Sequence, residues 1–210
     1  MDRRRFRREG EERRRQALIA ATLELIARGG AQAATVRAIA DLAGVTPGLI
    51  RHYFATKEDL TRAAYAQVME RMTAANLAVL SSAPESPEGR LAAFVAASLS
   101  PPVVDPAAMG LWAGFIHMVR RDAEMREIHR ATYLRYRDLL QGLIADLDRD
   151  VPPARLRADA IACNAVIDGL WLEGSALPDA FETGELKTIG LRSVGAILGV
   201  DLAAVLQGDA

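Results

Sequence analysis

The chain has 210 residues, 50% of them hydrophobic and 25% charged, which is enough apolar sequence for a packed core. Aromatic residues make up only 5%, and with abundant alanine this favours closely packed helices over strands rich in aromatic and β-branched side chains. There is no long apolar run to span a membrane and no secretory leader pattern, and the single cysteine, Cys163, excludes an intrachain disulfide framework, so a cytoplasmic protein is expected.

The net charge of -1 conceals an uneven distribution. Residues 1–60 carry 12 Lys/Arg against 8 Asp/Glu, whereas residues 61–210 carry 14 against 19, and eight arginines fall within the first 15 positions. A basic head on a mildly acidic body directs the head toward polyanions; a solvated N-terminal tail would account for the same charges.

The first helix is expected from about Arg13 to Arg28, where Leu18, Ala21, Thr22, Leu25 and Ile26 form a face of 3.6-residue period before Gly29 and Gly30. Thr35 can cap a second helix carrying Val36, Ile39, Ala40 and Ala43, closed by Gly44. Thr46 can cap a third, with Pro47 at its first position, where a missing amide hydrogen is harmless. Val45, Ile50 and Phe54 turn inward, leaving Pro47, Gly48, Leu49, Arg51, His52 and Tyr53 near the surface. Thr56 and Asp59 then resemble a shortened capping box opening a long helix from Lys57 to about Leu80.

Further helices are expected around Leu91–Leu99, from Ala107 to Arg121, from Asp122 to about Asp148, from Ala154 to Leu177 and from Thr183 to Gly199. The chain thus reads as an all-α fold of nine helices. Residues 1–56 form a basic arm and a three-helix head, and residues 57–210 form a helical body.

Two helices joined by a tight turn, the second exposed, have the form of a helix-turn-helix that inserts the start of its second helix into the DNA major groove. The candidate DNA contacts are Thr35, Arg37, Thr46, Pro47, Gly48, Leu49, Arg51, His52, Tyr53 and Lys57. Gly48 permits close approach and Leu49 can meet a thymine methyl group, whereas Arg37, Arg51, His52, Tyr53 and Lys57 suit phosphate positioning. For Arg51, contact with a base edge is the alternative. Thr46 either caps its helix or leaves the terminal amides to a phosphate.

In the body, Trp112, Phe115 and Met118, with Tyr133, Tyr136, Asn164, Asp168 and Trp171, form aromatic and polar stripes that can line a ligand cavity. Tryptophan faces and a carboxylate suit a quaternary ammonium; each residue also has a plain reading as packed core. Ile161, Ala162, Ala165, Val166, Leu172, Leu191, Val194, Ile197 and Leu198 give the last two helices more apolar surface than they need, which predicts a four-helix homodimer interface.

His52, His117 and His129 are isolated, no phosphate-binding glycine loop or His-Glu-x-x-His pattern occurs, and "DLDRD" lacks the glycine and glutamate of a calcium loop. No enzyme, metal or cofactor is expected. A helical protein-interaction module is the alternative, but it leaves the exposed third helix without a purpose.

"TVRAIADLAGVTPGLIRHYFATKEDL", Thr35 to Leu60, resembles the DNA-binding signature of TetR-type bacterial transcriptional regulators. The likeness implies a homodimeric repressor that binds a palindromic double-stranded operator and leaves it when a small molecule enters the larger domain. It places Thr46 to Leu49 at the groove and Tyr53 with Lys57 near phosphates; Arg51 stands where many members have tyrosine. "MGLWAGFIHMVRRDAEM" and "AVIDGLWLEGSAL" are similar to the choline-responsive repressors of glycine-betaine synthesis, which implies choline or another quaternary ammonium as the narrower reading.

Overall fold

The computed structural model describes residues 2–205, with side chains from residue 10 onward except that of Ala75. Arg3, Arg4, Arg5, Arg7 and Arg8 of the expected basic arm lie outside the described side chains. Among the described residues every regular element is helical. In chain order they are α1 (Asp2–Gly29), α2 (Val36–Ala43), α3 (Pro47–Tyr53), α4 (Lys57–Val79), α5 (Pro87–Ser98), α6 (Pro106–Val119), α7 (Ala123–Ala145), α8 (Pro153–Ala176), α9 (Glu185–Leu198) and α10 (Leu202–Val205), with a 3-10 turn at Pro178–Ala180. The all-α expectation holds. Among the described residues the α-helices number ten against the nine expected, because the four-residue α10 is too short to show an apolar period. α1 begins well before Arg13, since the Arg/Glu run preceding its apolar face consists of good helix formers.

Local signals account for most boundaries. Thr35 Oγ1 accepts from the Ala38 amide at 3.2 Å, and Gly44 ends α2 at φ 66°, a left-handed conformation that a glycine adopts without strain. Thr56 and Asp59 complete a reciprocal box: the Asp59 amide donates to Thr56 Oγ1 at 3.0 Å, and the Thr56 amide to Asp59 Oδ2 at 2.9 Å. Ser86 caps α5 and Asp105 caps α6. Asp122 caps α7 as expected, accepting from the Glu124 and Met125 amides at 2.9 and 3.0 Å.

Thr46 is different. It occupies the N-cap position of α3 with extended backbone angles, yet its side chain makes no capping bond. The Leu49 amide turns instead to the Thr46 carbonyl at 3.0 Å. The expected side-chain cap is therefore replaced by a tight backbone turn, which leaves the hydroxyl facing outward.

The chain packs into two units. The first comprises Met1–Val68 and Gly110–His129. Its core takes Leu18, Ile19, Thr22 and Ile26 from α1, Ile39 and Ala40 from α2, Ile50 and Phe54 around α3, Leu60 and Tyr65 from α4, and Phe115 and Met125 beyond. Leu25, expected on the inner face of α1, is half-buried, and Ile19 and Leu23 are buried instead. Burying Ile50 and Phe54 stabilises α3 by roughly 1.5–3 kcal/mol each, which a helix of seven residues needs because it cannot nucleate alone.

The second unit comprises Met69–Met109 and Arg130–Ala210. α5 is its most enclosed helix: Leu91, Ala92, Ala93, Phe94 and Val95 are all buried, and α8, α9 and α10 pack around it. At the start of α8, Asp159 is 3% exposed and accepts from Arg149 and Arg155. Burial works against its charge, but the two guanidinium hydrogen bonds prevail and hold its pKa below the ordinary value.

α9 ends where Gly195 passes close to the following loop, so that a methyl group on it would sit 2.5 Å from the Val200 carbonyl oxygen. Gly195→Ala should therefore destabilise the protein by about 1–3 kcal/mol, read as a lower urea midpoint at unchanged m-value. Gly142→Ala, on α7 with nothing within 4 Å of the added carbon, is the control and should not lower the midpoint.

Candidate nucleic-acid interface

The first unit displays the expected DNA-contact residues on and beside α3. Thr46, Pro47, Gly48, Arg51 and His52 are exposed, and Leu49, Tyr53 and Lys57 are half-buried. A carbon added at Gly48 meets nothing within 4 Å, so the glycine is not required by packing inside the protein. His52 and Tyr53 meet edge to face with centroids 5.1 Å apart, an arrangement that keeps both side chains beside the helix end. On α2, Thr35 is exposed, and Arg37 is 90% exposed with only a loose 4.0 Å contact to Asp41. On the opposite face of α3, Ile50 anchors the helix, and the Arg15 guanidinium lies 5.3 Å from the centre of the Phe54 ring. One side of α3 is thus committed to packing, and the other presents small, apolar and cationic groups to solvent.

Arg62 escapes a reading of the sequence because its main partner, Asp122, is 60 positions away. It donates from Nε and Nη2 to Asp122 Oδ2 at 3.0 and 2.9 Å and from Nη1 to Asp59 Oδ1 at 3.0 Å, and it pairs with Glu124 at 2.8 Å. The Asp122 pKa is lowered, first by the Met125 amide and then by Arg62; that of Asp59 is lowered chiefly by the Thr56 hydroxyl.

The residues expected at an effector site are divided between the units. Trp112, Phe115 and Met118 fall in the first. Phe115 is fully enclosed, its ring 5.0 Å from that of Tyr65, which makes it a core residue there. Trp112 and Met118 are half-buried.

In the second unit Tyr133, Asn164 and Asp168 come together. Asn164 Nδ2 donates to the Tyr133 hydroxyl at 2.7 Å and to Asp168 Oδ2 at 2.8 Å, and the Tyr133 hydroxyl donates to the same carboxylate oxygen. Burial, with Asp168 alongside, pushes the Tyr133 pKa up to about 12, so the phenol keeps its proton at neutral pH. Tyr136 is raised further by burial, shares a 2.8 Å hydrogen bond with Ser98 and packs against Phe94. Trp171 donates to the Val103 carbonyl at 2.8 Å. Asn164 Oδ1 and Ser175 Oγ are buried on the same face of α8, with no hydrogen-bond partner among the described residues. Neither Ser98 nor the Val103 carbonyl carries a sequence signal, since each acts through a tertiary contact.

The expected dimer surface needs a correction. Leu191, Val194 and Leu198 are buried within a single chain, because α9 turns that face onto α5 and α10. Ile161, Ala162, Ala165 and Leu172 on α8 remain exposed, Val166 and Ile197 are half-buried, and Ile189 adds further exposed apolar area from α9.

Among the described residues no group of three or more His, Cys, Asp or Glu is placed to hold a metal ion, and no helix is long and apolar enough to cross a membrane. A short helix packed on α2, following a tight glycine turn and presenting its outer face, defines a helix-turn-helix DNA-binding protein.

Known proteins agree with that class. Residues 18–64 match "Bacterial regulatory proteins, tetR family", and residues 87–199 match "BetI-type transcriptional repressor, C-terminal". The HTH-type transcriptional regulator BetI of Burkholderia thailandensis is 33% identical over 172 residues, 82% of this chain and 87% of that protein. A crystal structure described as a transcriptional regulator from Pseudomonas aeruginosa PAO1 has a TM-score of 0.81 and 32% identity, covering 93% of this chain and 95% of its own. A regulator from Saccharomonospora viridis, crystallised in complex with choline, shares the fold at a TM-score of 0.64 and 19% identity, covering 92% and 95%. The chain belongs to the TetR family of transcriptional regulators, with a BetI-type C-terminal domain, and it is not an enzyme.

Because Gly48 is open on the outer face of α3, Gly48→Ala should preserve or slightly raise stability while weakening DNA binding. A loss of about 1–3 kcal/mol is expected, as for an extra methyl forced into a packed interface. Thermal melting and DNA titration of the same preparation provide the check.

Proposed function

We propose that the protein is a homodimeric repressor that binds a palindromic operator and releases it when a small cationic molecule binds. Residues 1–56 serve as its DNA-binding domain, and residues 57–210 as its effector and dimerisation domain. The observation that carries this reading is the outer face of α3: Thr46, Pro47, Gly48 and Leu49 are offered to the groove, with Arg51, His52, Tyr53, Lys57, Thr35 and Arg37 beside the backbone. The uncommitted Thr46 hydroxyl favours a contact to DNA over a capping role. Such a regulator works in the cytoplasm, beside the chromosome.

For the effector, Asp168 supplies a carboxylate, Tyr133 and Tyr136 supply aromatic faces, and the Asn164 carbonyl is a buried acceptor with no partner among the described residues. Together with Trp171 these suit a quaternary ammonium, choline being the particular candidate. The BetI-type C-terminal match and the choline bound by the Saccharomonospora viridis protein support that class.

For the dimer, the exposed α8 stripe of Ile161, Ala162, Ala165, Gly169 and Leu172 combines apolar side chains with small ones, so a second copy of the helix can approach closely. Linking two heads makes the second half-site contact intramolecular, and an effector then needs only to change their spacing.

The test is selection of duplexes from a genomic pool by the purified protein, followed by release with choline and other quaternary ammonium compounds. Recovery of no enriched palindrome, or enrichment insensitive to every such compound, would count against the proposal. In the same assay Arg51→Ala should weaken binding to all sequences and reduce the salt slope by about one. A change confined to sequence preference would place Arg51 at a base edge instead. Leu172 is 42% exposed, so Leu172→Arg should leave the fold intact. It should yield a monomeric mass by light scattering and an operator affinity lower by at least about 100-fold.

A further inference from the structure

One guanidinium holds together two helix starts of the first unit. Asp59 belongs to the capping box that opens α4, only a few residues after α3 ends, and Asp122 caps α7. Arg62 lies between them, donating to Asp59 through Nη1 and to Asp122 through Nε and Nη2, with Glu124 also paired to Nη1. One helical turn further along α4, the fully buried Tyr65 repeats the connection. Its hydroxyl is 2.5 Å from His129 Nδ1 on α7, and its ring packs on Phe115 of α6. The first turns of α4 are thereby fastened twice to the α6–α7 corner, and packing places that corner, Gly110–His129, in the same unit as the three-helix head.

We propose that Arg62 is a positioning residue for DNA binding, a strap that holds the α6–α7 corner against the first turns of α4 and so fixes the orientation of α3. It is not a phosphate contact. Its side chain is only 21% exposed and its Nε, Nη1 and Nη2 all face carboxylates. Three carboxylates around one guanidinium leave the cluster net negative, which repels a phosphate backbone. Arginine also suits such a bridge better than lysine, because a planar guanidinium can join two carboxylates in fixed geometry, whereas an ammonium is a point charge without that direction. Trp112 and Met118, expected on other grounds to meet an effector, lie on the α6 part of this unit. A shift of α6 would therefore reach α3 through the strap.

The experiment compares full-length wild type, Arg62→Met, Arg62→Lys, Asp122→Asn and the Arg62→Met/Asp122→Asn pair on one duplex selected by the wild type. The readouts are affinity across a salt series, thermal melting, and amide hydrogen exchange along the chain. Arg62→Met should bind about tenfold more weakly, with an unchanged salt slope and faster exchange over residues 47–60 and 122–126, while α5 keeps its protection. Asp122→Asn should act in the same direction, and the pair should add little to Arg62→Met alone. Arg62→Lys, which keeps the charge and loses the fork, should restore binding only in part.

Affinity within twofold of wild type, or a salt slope reduced by about one, would overturn the proposal; the second result would make Arg62 a phosphate ligand. If Arg62→Met fails to fold, Arg62→Lys and Asp122→Asn decide by the same readouts. If the wild type selects no duplex, the DNA-binding reading is what fails. The exchange data then still decide the strap, since equal protection of residues 47–60 in wild type and Arg62→Lys would overturn it.

Discussion

The arrangement of the head depends on the burial of two side chains, Ile50 and Phe54. A helix of seven residues loses more in backbone entropy than its few hydrogen bonds return, so α3 exists only where its inner face is packed. Ile50 and Phe54 supply that face, and α2, shaped by the Thr35 cap and the left-handed Gly44, supplies a surface for it. Once these two residues are inside, the helical period leaves Gly48, Arg51 and His52 on the outside. The same constraint explains why Pro47 is tolerated: at the first helical position it gives up a hydrogen bond that the helix could not have made.

The second unit divides α8 in a similar way. Its inner face carries Asn164, Ile167, Trp171 and Ser175, and its outer face carries Ile161, Ala165, Gly169 and Leu172. A helix apolar on both sides needs cover on both, and among the described residues only the inner side has it. Position in the unit thus separates a covered, partly polar face from an apolar face left open to solvent. α9 shows the opposite outcome, because α5 and α10 cover its Leu191, Val194 and Leu198.

The polar contacts differ in how far apart their partners lie. Caps such as Thr35 and the Thr56/Asp59 box join residues three positions apart, and their spacing alone suffices to expect them. Thr46 has the same spacing cue but lacks the capping bond, because the Leu49 amide takes the Thr46 carbonyl instead. Arg62 with Asp122, Tyr65 with His129 and Trp171 with the Val103 carbonyl are separated by 60, 64 and 68 positions, and no local pattern announces them.

The sequence by itself determined the all-helical class, the position of the three-helix head and the exposed character of α3, because these rest on period, capping residues and turn glycines that act over a few positions; the family it showed through the resemblance of Thr35 to Leu60. Only the tertiary structure decided that Phe115 is core, that Leu191, Val194 and Leu198 of α9 are already covered, that Tyr133, Asn164 and Asp168 share one cluster, and that Arg62 joins α4 to α7. The physical reason is that apolar period states which residues need burial and not what will bury them. A charged side chain is likewise indifferent in sequence to its partner until packing brings one within hydrogen-bond reach.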